Sequence, residues 1–126
     1  MPKKLTKPTI RKLAKEIRQF LLDREMWIDT TIYFNGMAYS TDDGQGHHYY
    51  NDPEHLVELH DVDPRRVCDY VGPYLTMTFE GTFYEVMNGY LGRYGYKIEE
   101  EFHELLRKYG LYCELGNAWN LSVFDS

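Results

Sequence analysis

Residues 27–41, with the sequence WIDTTIYFNGMAYST, decide the fold of this chain. The run alternates apolar and polar side chains on both sides of Asn35-Gly36, an alternation that is typical of two half-buried strands. Asn-Gly is the strongest short signal for a β-hairpin, because a type I′ turn needs a positive φ at both central residues. That turn places Phe34 opposite Met37. The apolar side chains then share one face, which predicts an antiparallel sheet with its core on that side.

Two amphipathic helices are predicted, one before the hairpin and one near the C-terminus. Apolar residues recur at helical spacing over residues 10–21, and Pro8 suits the first turn because its missing N–H is not needed there. The same spacing recurs over residues 98–109, where acidic residues come early and Gly110 follows the end. This order complements the helix dipole and fits a glycine at the C-terminal cap.

Shorter patterns predict the remaining elements. Residues 75–79 alternate as a half-buried strand, and two last strands flank a turn at Gly116-Asn117. Residues 56–62 fit a strand, but the preceding Asp52-Pro53 also fits a helix start, so both assignments stay open.

Two further segments are assigned from their flanking residues. Asp63-Pro64 predicts a short helix that runs to Val71, and the glycines of residues 89–97 predict a turn-rich linker. Together the elements predict a single α+β domain over residues 1–126. Its antiparallel sheet has about five strands, two hairpins plus a central strand, with the N-terminal and C-terminal amphipathic helices packed on it.

Composition places the chain among ordinary globular proteins. A chain of 126 residues with 43% hydrophobic and 27% charged residues can bury a core without metal or disulfide support. The chain has no apolar run near the ~20 residues that span a bilayer, and its basic N-terminus leads into an amphipathic pattern instead of a signal peptide. We therefore expect a cytoplasmic protein with no membrane partner. Its two cysteines, far apart in sequence, are expected to be free thiols.

Charge is divided unevenly along the chain. Residues 1–24 hold eight bases and two acids, a local charge of +6, whereas the rest holds six bases and eighteen acids, a charge of −12. Between Asp42 and Asp63 there are seven acids and no Lys or Arg. Such a segment repels nucleic acid and attracts cationic partners.

The main functional hypothesis is a non-catalytic interaction module that binds a basic protein. It combines the acidic segment with loop tyrosines, a residue type enriched at binding surfaces. The predicted contact residues are Asp42, Asp43, Tyr49, Tyr50, Asp52, Asp61 and Asp63. In size and charge the chain is similar to the small DNA-mimic inhibitors of mobile elements, the anti-restriction and anti-CRISPR kinds. The similarity is one of size and charge and does not involve a shared sequence motif.

A second hypothesis is a nucleic-acid-binding module. The basic face of the first helix would hold phosphates, and the tyrosines of residues 89–97 would stack on bases. The candidate contacts are Arg11, Lys12, Lys15, Arg18, Tyr90, Arg93, Tyr94 and Lys97. Self-association through the same basic helix and the acidic loop of a second copy is a further alternative.

A third hypothesis is a metal-dependent enzyme built on the histidines and aspartates of residues 42–63. These residue types can ligate zinc, but none of the histidine pairs has a familiar ligand spacing. His103-Glu104 begins an H-E-x-x-H pattern that Arg107 interrupts. The sequence also lacks the common nucleophile and phosphate-binding motifs. We therefore predict no catalytic residue, no metal and no cofactor.

Overall fold

The Asn35-Gly36 turn forms as predicted in the computed structural model, which describes residues 5–126. Asn35 has a φ of 51° and Gly36 a φ of 74°, which are the left-handed values that a type I′ turn requires. The turn joins β1 (Thr30–Phe34) to β2 (Met37–Ser40) in the predicted register.

Four more strands extend this hairpin into one antiparallel sheet. They are β3 (Val57–His60), β4 (Leu75–Phe79), β5 (Leu111–Asn117) and β6 (Asn120–Asp125). The order across the sheet is β3-β2-β1-β4-β6-β5, and each neighbouring pair is antiparallel. The predicted α+β class is confirmed. The sheet has one strand more than the expected five, and this strand is β3. Residues 56–62, for which both a strand and a helix were considered, therefore contain a strand.

Three helices accompany the sheet: α1 (Lys7–Asp23), α2 (Thr82–Met87) and α3 (Gly92–Arg107). The α1 helix begins after Thr6, whose hydroxyl accepts a hydrogen bond from the backbone N–H of Thr9 at 3.3 Å. The helices pack on one face of the sheet, α1 against β1, α2 against β4 and α3 against β5. No helix within residues 5–126 is long and apolar enough to cross a bilayer.

Aromatic side chains fill the layer between the helices and the sheet. The ring of Phe102, on α3, lies edge-on to Phe20 of α1 at 5.7 Å and to Phe83 of α2 at 5.1 Å between centroids. Phe83 in turn lies edge-on to Phe79 of β4 at 5.2 Å. Each of these rings is buried, so one connected aromatic cluster joins the three helices to the centre of the sheet.

The opposite face of the sheet is covered by residues 61–73, the crossover segment, which connects edge strand β3 to β4. The backbone carbonyl of Tyr70 accepts a hydrogen bond from the Ser122 hydroxyl at 3.3 Å, and Cys68, also in the segment, is buried. The predicted helix from Pro64 to Val71 is wrong: a single 3₁₀ turn, Pro64–Arg66, forms there. Crossing several strands needs extended chain, because a helix advances only about 1.5 Å per residue.

The predicted linker at residues 89–97 is shorter than expected: residues 89–91 form a turn, but α3 already begins at Gly92. Gly95 is buried against Leu91, and a Cβ at Gly95 would lie 2.9 Å from the Leu91 Cβ. This glycine therefore permits close packing inside a helix instead of marking a turn. The acids at residues 99–101 consequently lie beyond the first turn of α3, not at its start.

The last hairpin turns two residues later than predicted. Ala118 and Trp119 form the turn, and a β-bulge between Leu115 and Asn117 shifts the register. Val123 pairs with Cys113, and Leu111, Leu121 and Val123 belong to the core beneath the helices, whereas Phe124 packs on Tyr70 of the crossover segment.

Truncation of the shared aromatic ring tests the role of the cluster. We expect Phe102→Ala to lower the free energy of unfolding by about 3–5 kcal/mol, because it removes a fully buried ring and leaves a cavity. Tyr96→Ala, on the same helix but 60% exposed, is the matched control and should change stability by less than about 0.5 kcal/mol. Urea denaturation measures both, and equal losses would show that Phe102 does not join the layers.

Acidification tests the contact between α1 and the end of α3. The Glu16 carboxylate accepts hydrogen bonds from the Tyr109 hydroxyl at 2.6 Å and from Lys108 Nζ at 3.1 Å, and the first of these contacts chiefly lowers the pKa of Glu16. A lowered pKa means stabilisation that is present above the ordinary carboxyl pKa and lost as the pH falls through the lowered value. We therefore expect Glu16→Gln to reduce Tm near neutral pH and to have a progressively smaller effect as the pH falls below the ordinary carboxyl pKa. Glu104→Gln, on an exposed position of α3, should show no such pH dependence.

Candidate functional site

The crossover segment leaves two cavities on the face of the sheet that the helices do not cover. One, of about 460 Å³, lies at the Asn35-Gly36 end of the sheet and includes Asp63 and Arg65 in its lining. The other, of about 470 Å³, lies at the opposite end of β1 and β2. Tyr33 lines both cavities, so its ring contributes to the wall between them.

The second cavity, which we call the acidic cavity, combines hydroxyl groups, aromatic rings and carboxylates. Its lining residues are Asp29, Thr30, Thr31, Tyr33, Ser40, Thr41, Asp42, Val67, Thr78, Glu80 and Trp119. Three of these residues carry a carboxylate, and none is a lysine or an arginine. Carboxylates and hydroxyl groups around a concave surface are chemically suited to a positively charged group.

Strand pairing brings the three carboxylates to one end of the sheet. Asp29 precedes β1 and Glu80 follows β4, and the Glu80 backbone N–H donates to the Asp29 carbonyl at 3.0 Å. Asp42 lies two residues beyond the end of β2, the strand on the other side of β1. The sequence analysis identified Asp42 but missed Asp29 and Glu80. Each is an isolated acid in sequence, and only their positions at the ends of adjacent strands would have indicated them.

The partners of these carboxylates leave their negative charge largely in place. The Tyr50 hydroxyl donates a short hydrogen bond to Asp29, and this contact raises the pKa of Tyr50 to about 12. Asp42 lies 3.3 Å from the Nε2 atom of His48. Within residues 5–126, no hydrogen bond or ion pair engages the Glu80 carboxylate. The end of the sheet therefore presents acids that lack a lysine or arginine partner.

Among the predicted contact residues, Asp43 lies in the same loop as Asp42. Its carboxylate accepts from the backbone N–H of Gln45 at 2.8 Å and lies 3.0 Å from the Nδ1 atom of His47, and these contacts lower the pKa of Asp43. The structure thus brings together Asp42, Asp43 and Tyr50 with the unpredicted Asp29 at one end of the sheet.

Tyr49 and Asp52 lie further along the same loop, beside α1. The Tyr49 ring stacks on His55 at 4.8 Å between centroids, and the Asp52 carboxylate lies 2.5 Å from the Nδ1 atom of His55. Arg18 of α1 donates to the backbone carbonyls of Asp52 at 3.1 Å and of His55 at 3.3 Å. The basic helix therefore meets this part of the loop, but it does not line the acidic cavity.

Asp61 and Asp63 lie at the other end of the sheet. The backbone N–H of Val62, between them, donates to the carbonyl of Gly36 at 3.3 Å, and Asp63 forms an ion pair with Arg65 at 3.1 Å. The length of β3 separates these two acids from Asp42. The predicted contact residues thus occupy both ends of β3, the strand that forms within the acidic segment 42–63.

The candidate nucleic-acid residues of α1 divide into two pairs. Arg11 is half-buried with its guanidinium 5.8 Å from the Phe34 ring, and Arg18 lies 5.8 Å from the Trp27 ring. Lys12 and Lys15 are exposed. Two of the four predicted basic residues of α1 therefore pack beside aromatic rings instead of facing solvent.

The other candidates, Tyr90, Arg93, Tyr94 and Lys97, lie at or just before the start of α3 and are exposed. Tyr90 stacks on Tyr84 at 6.2 Å between centroids. The contact between Glu16 and Lys108 places α1 beside the other end of α3, so roughly 20 Å of helix separates the two basic groups. They do not form one continuous track.

The histidines of residues 42–60 do not converge on a metal site. Each lies beside a different carboxylate. The pairs are His47 with Asp43, His48 with Asp42, His55 with Asp52, and His60 with Glu58. In the described part of the chain, no three histidine, cysteine or acidic side chains are arranged to hold a metal ion. The metal-enzyme hypothesis therefore gains no support from the geometry.

A cysteine, a histidine and a glutamate form a line that the sequence analysis missed. Cys113 Sγ lies 3.8 Å from His103 Nδ1, and His103 Nε2 lies 3.9 Å from Glu99. Burial, with a smaller contribution from Glu99, raises the pKa of the Cys113 thiol to about 12. A raised pKa favours the protonated thiol at neutral pH, and the thiol is a weaker nucleophile than the thiolate.

Comparison with known proteins gave no match: no family model, no curated protein and no solved structure is significantly similar to this chain. The functional argument therefore depends on the geometry and charge of the chain itself.

Thiol reactivity tests the interpretation of Cys113. In a Cys68→Ser variant, we expect the native protein to react with a disulfide reagent at about pH 8 more than a hundredfold more slowly than the urea-unfolded chain, because the raised pKa removes the thiolate. Absorbance of the released thiol measures the rate. Rapid reaction of the native variant would contradict a protonated thiol.

Proposed function

We propose that this protein is a non-catalytic interaction module that binds a cationic segment of a protein partner at the acidic end of its sheet. The single observation that supports the proposal most strongly is the gathering of Asp29, Asp42 and Glu80 around one cavity with no lysine or arginine in its lining. A concave negative surface raises the local concentration of cationic groups and accelerates their association.

The distribution of the basic residues supports the same proposal. Apart from Arg65 and Arg66, the lysines and arginines within residues 5–126 lie on α1 and α3 or at their C-terminal caps. The helices and the crossover segment occupy opposite faces of the sheet, so most cations lie in a different layer from the acidic cavity. The contact of Arg18 with residues 52–55 neutralises the neighbourhood of Asp52 only in part and leaves the cavity unopposed.

The position of the acids favours a compact contact. Asp42 and Asp43 lie at one end of β3 and Asp61 and Asp63 at the other. This division favours binding of a short cationic segment over imitation of a long phosphate track. Inhibition of a nucleic-acid-handling protein is a narrower form of the proposal, in which the bound segment is the one that the partner uses to hold nucleic acid.

Neutralisation of the cavity tests the proposal with a defined probe. Fluorescently labelled hexa-arginine should bind the protein with an affinity that falls as salt is added, measured by fluorescence anisotropy. In the triple variant Asp29→Asn, Asp42→Asn and Glu80→Gln, we expect Kd to rise by at least about tenfold, because the attraction of the cavity for cations is lost. The amides keep the ability to accept backbone hydrogen bonds, so the loops should retain their conformation.

A matched variant controls for the change in net charge. Asp23→Asn, Glu100→Gln and Glu104→Gln remove the same number of charges from exposed positions on the helices, and this variant should bind the peptide within about twofold of the wild type. If both variants weaken peptide binding equally, binding depends only on the overall charge of the protein. That result would contradict a localised site. A labelled single-stranded oligonucleotide that binds through Arg93 and Lys97 would instead favour the nucleic-acid hypothesis.

A further inference from the structure

We infer that the acidic cavity receives the guanidinium group of one arginine side chain from the partner. This inference rests on the proposed function and narrows it, since it names the group that is bound and the place where it is held. The cavity, of about 470 Å³, exceeds the volume of a single side chain and opens on the sheet face beside the crossover segment.

The groups that line the cavity match a guanidinium chemically. An arginine side chain carries five N–H donors in a planar fork and no acceptor. The carboxylates of Asp29, Asp42 and Glu80 are acceptors only, and threonine and serine hydroxyls of β1, β2 and β4 also line the cavity and can accept. The cavity therefore offers more acceptors than one guanidinium requires.

The aromatic rings favour arginine over lysine. Tyr33 and Trp119 both line the cavity, Tyr33 from β1 and Trp119 from the turn between β5 and β6. A planar guanidinium can stack on such rings while its edge donates to carboxylates, whereas an ammonium group is a strongly hydrated point charge. The combination of flat rings and carboxylates in one cavity is what selects the guanidinium.

The other cavity provides an internal comparison. It has a similar volume, but the single acid in its lining, Asp63, already forms an ion pair with Arg65, which lines the same cavity. Among residues 5–126 no lysine or arginine lines the acidic cavity, and Arg66, although adjacent in sequence to the lining residue Val67, is not part of the lining. The acidic cavity therefore lacks the internal ion pair that the other cavity has, and a cation of a partner would supply it.

A small-molecule titration tests this inference without a known partner. N-acetyl-arginine amide should cause saturable NMR shifts of the Trp119 indole N–H and of the Thr31 and Thr78 backbone amides, with a Kd of about millimolar, as expected for a ligand of this size. N-acetyl-citrulline amide has nearly the same shape without the charge, and it should cause no saturable shift. N-acetyl-lysine amide should bind more weakly than the arginine compound.

Substitution of the ring and of one carboxylate locates the site. Trp119→Leu should raise the Kd of the arginine compound by about two- to thirtyfold, which is the range that a cation–π contact provides. The backbone carbonyl of Trp119, which accepts from Phe79, is retained in this variant. Glu80→Gln should also raise the Kd, whereas Tyr112→Leu, an exposed aromatic on β5 outside the lining, should leave it unchanged.

The outcomes separate this inference from the proposed function. Suppose that hexa-arginine binds through the acids, but that Trp119→Leu has no effect and the NMR shifts stay within residues 42–50. The inference about the cavity is then overturned, and the proposed function stands. If no cationic peptide binds, both fail. Equal affinity for the lysine compound would overturn the assignment of a guanidinium. Self-association in sedimentation that Glu80→Gln abolishes would assign the cavity to a second copy and would also overturn the inference.

Discussion

The edge-on contacts of Phe102 join the three helices of this molecule, although α1 and α3 are far apart in sequence. Its ring touches Phe20 of α1 and Phe83 of α2, and Phe83 connects the cluster to Phe79 of β4. This packing holds the helices on one face of the sheet and leaves the other face, rich in hydroxyl groups, to the crossover segment. Because that segment is narrower than the sheet it covers, the two cavities beside it follow from the same arrangement.

Much of the fold could be predicted because its signals are local. The hairpin follows from alternation around Asn35-Gly36, and α1 follows from helical spacing and Pro8. The errors lie where long-range packing overrides a local pattern. Gly95 resembles a linker glycine but is required by contact with Leu91, and the bulge before Asn117 moves a turn that the sequence places two residues earlier.

The candidate site could be predicted only in part. Asp42 and Asp43 belong to a long acidic segment, so their sequence context indicated them. Asp29 and Glu80 are single acids some fifty residues apart, and only the antiparallel pairing of β1 with β4 brings them together. Pairing between distant strands cannot be read from the composition of either strand. The same limit explains why Asp61 and Asp63, close in sequence to the rest, lie at the opposite end of β3.

The aromatic cluster also has a consequence for biosynthesis. Phe20 leaves the ribosome early, whereas Phe102 and the Tyr109 hydroxyl that binds Glu16 are made near the end of the chain. Until α3 emerges, the nascent α1 and the first hairpin can pack on each other, but they lack the part of the core that Phe102 supplies. Partly made chains of this kind expose apolar surface and are prone to aggregate or to recruit chaperones. The core around Phe20 is therefore complete only when the last third of the chain has been made.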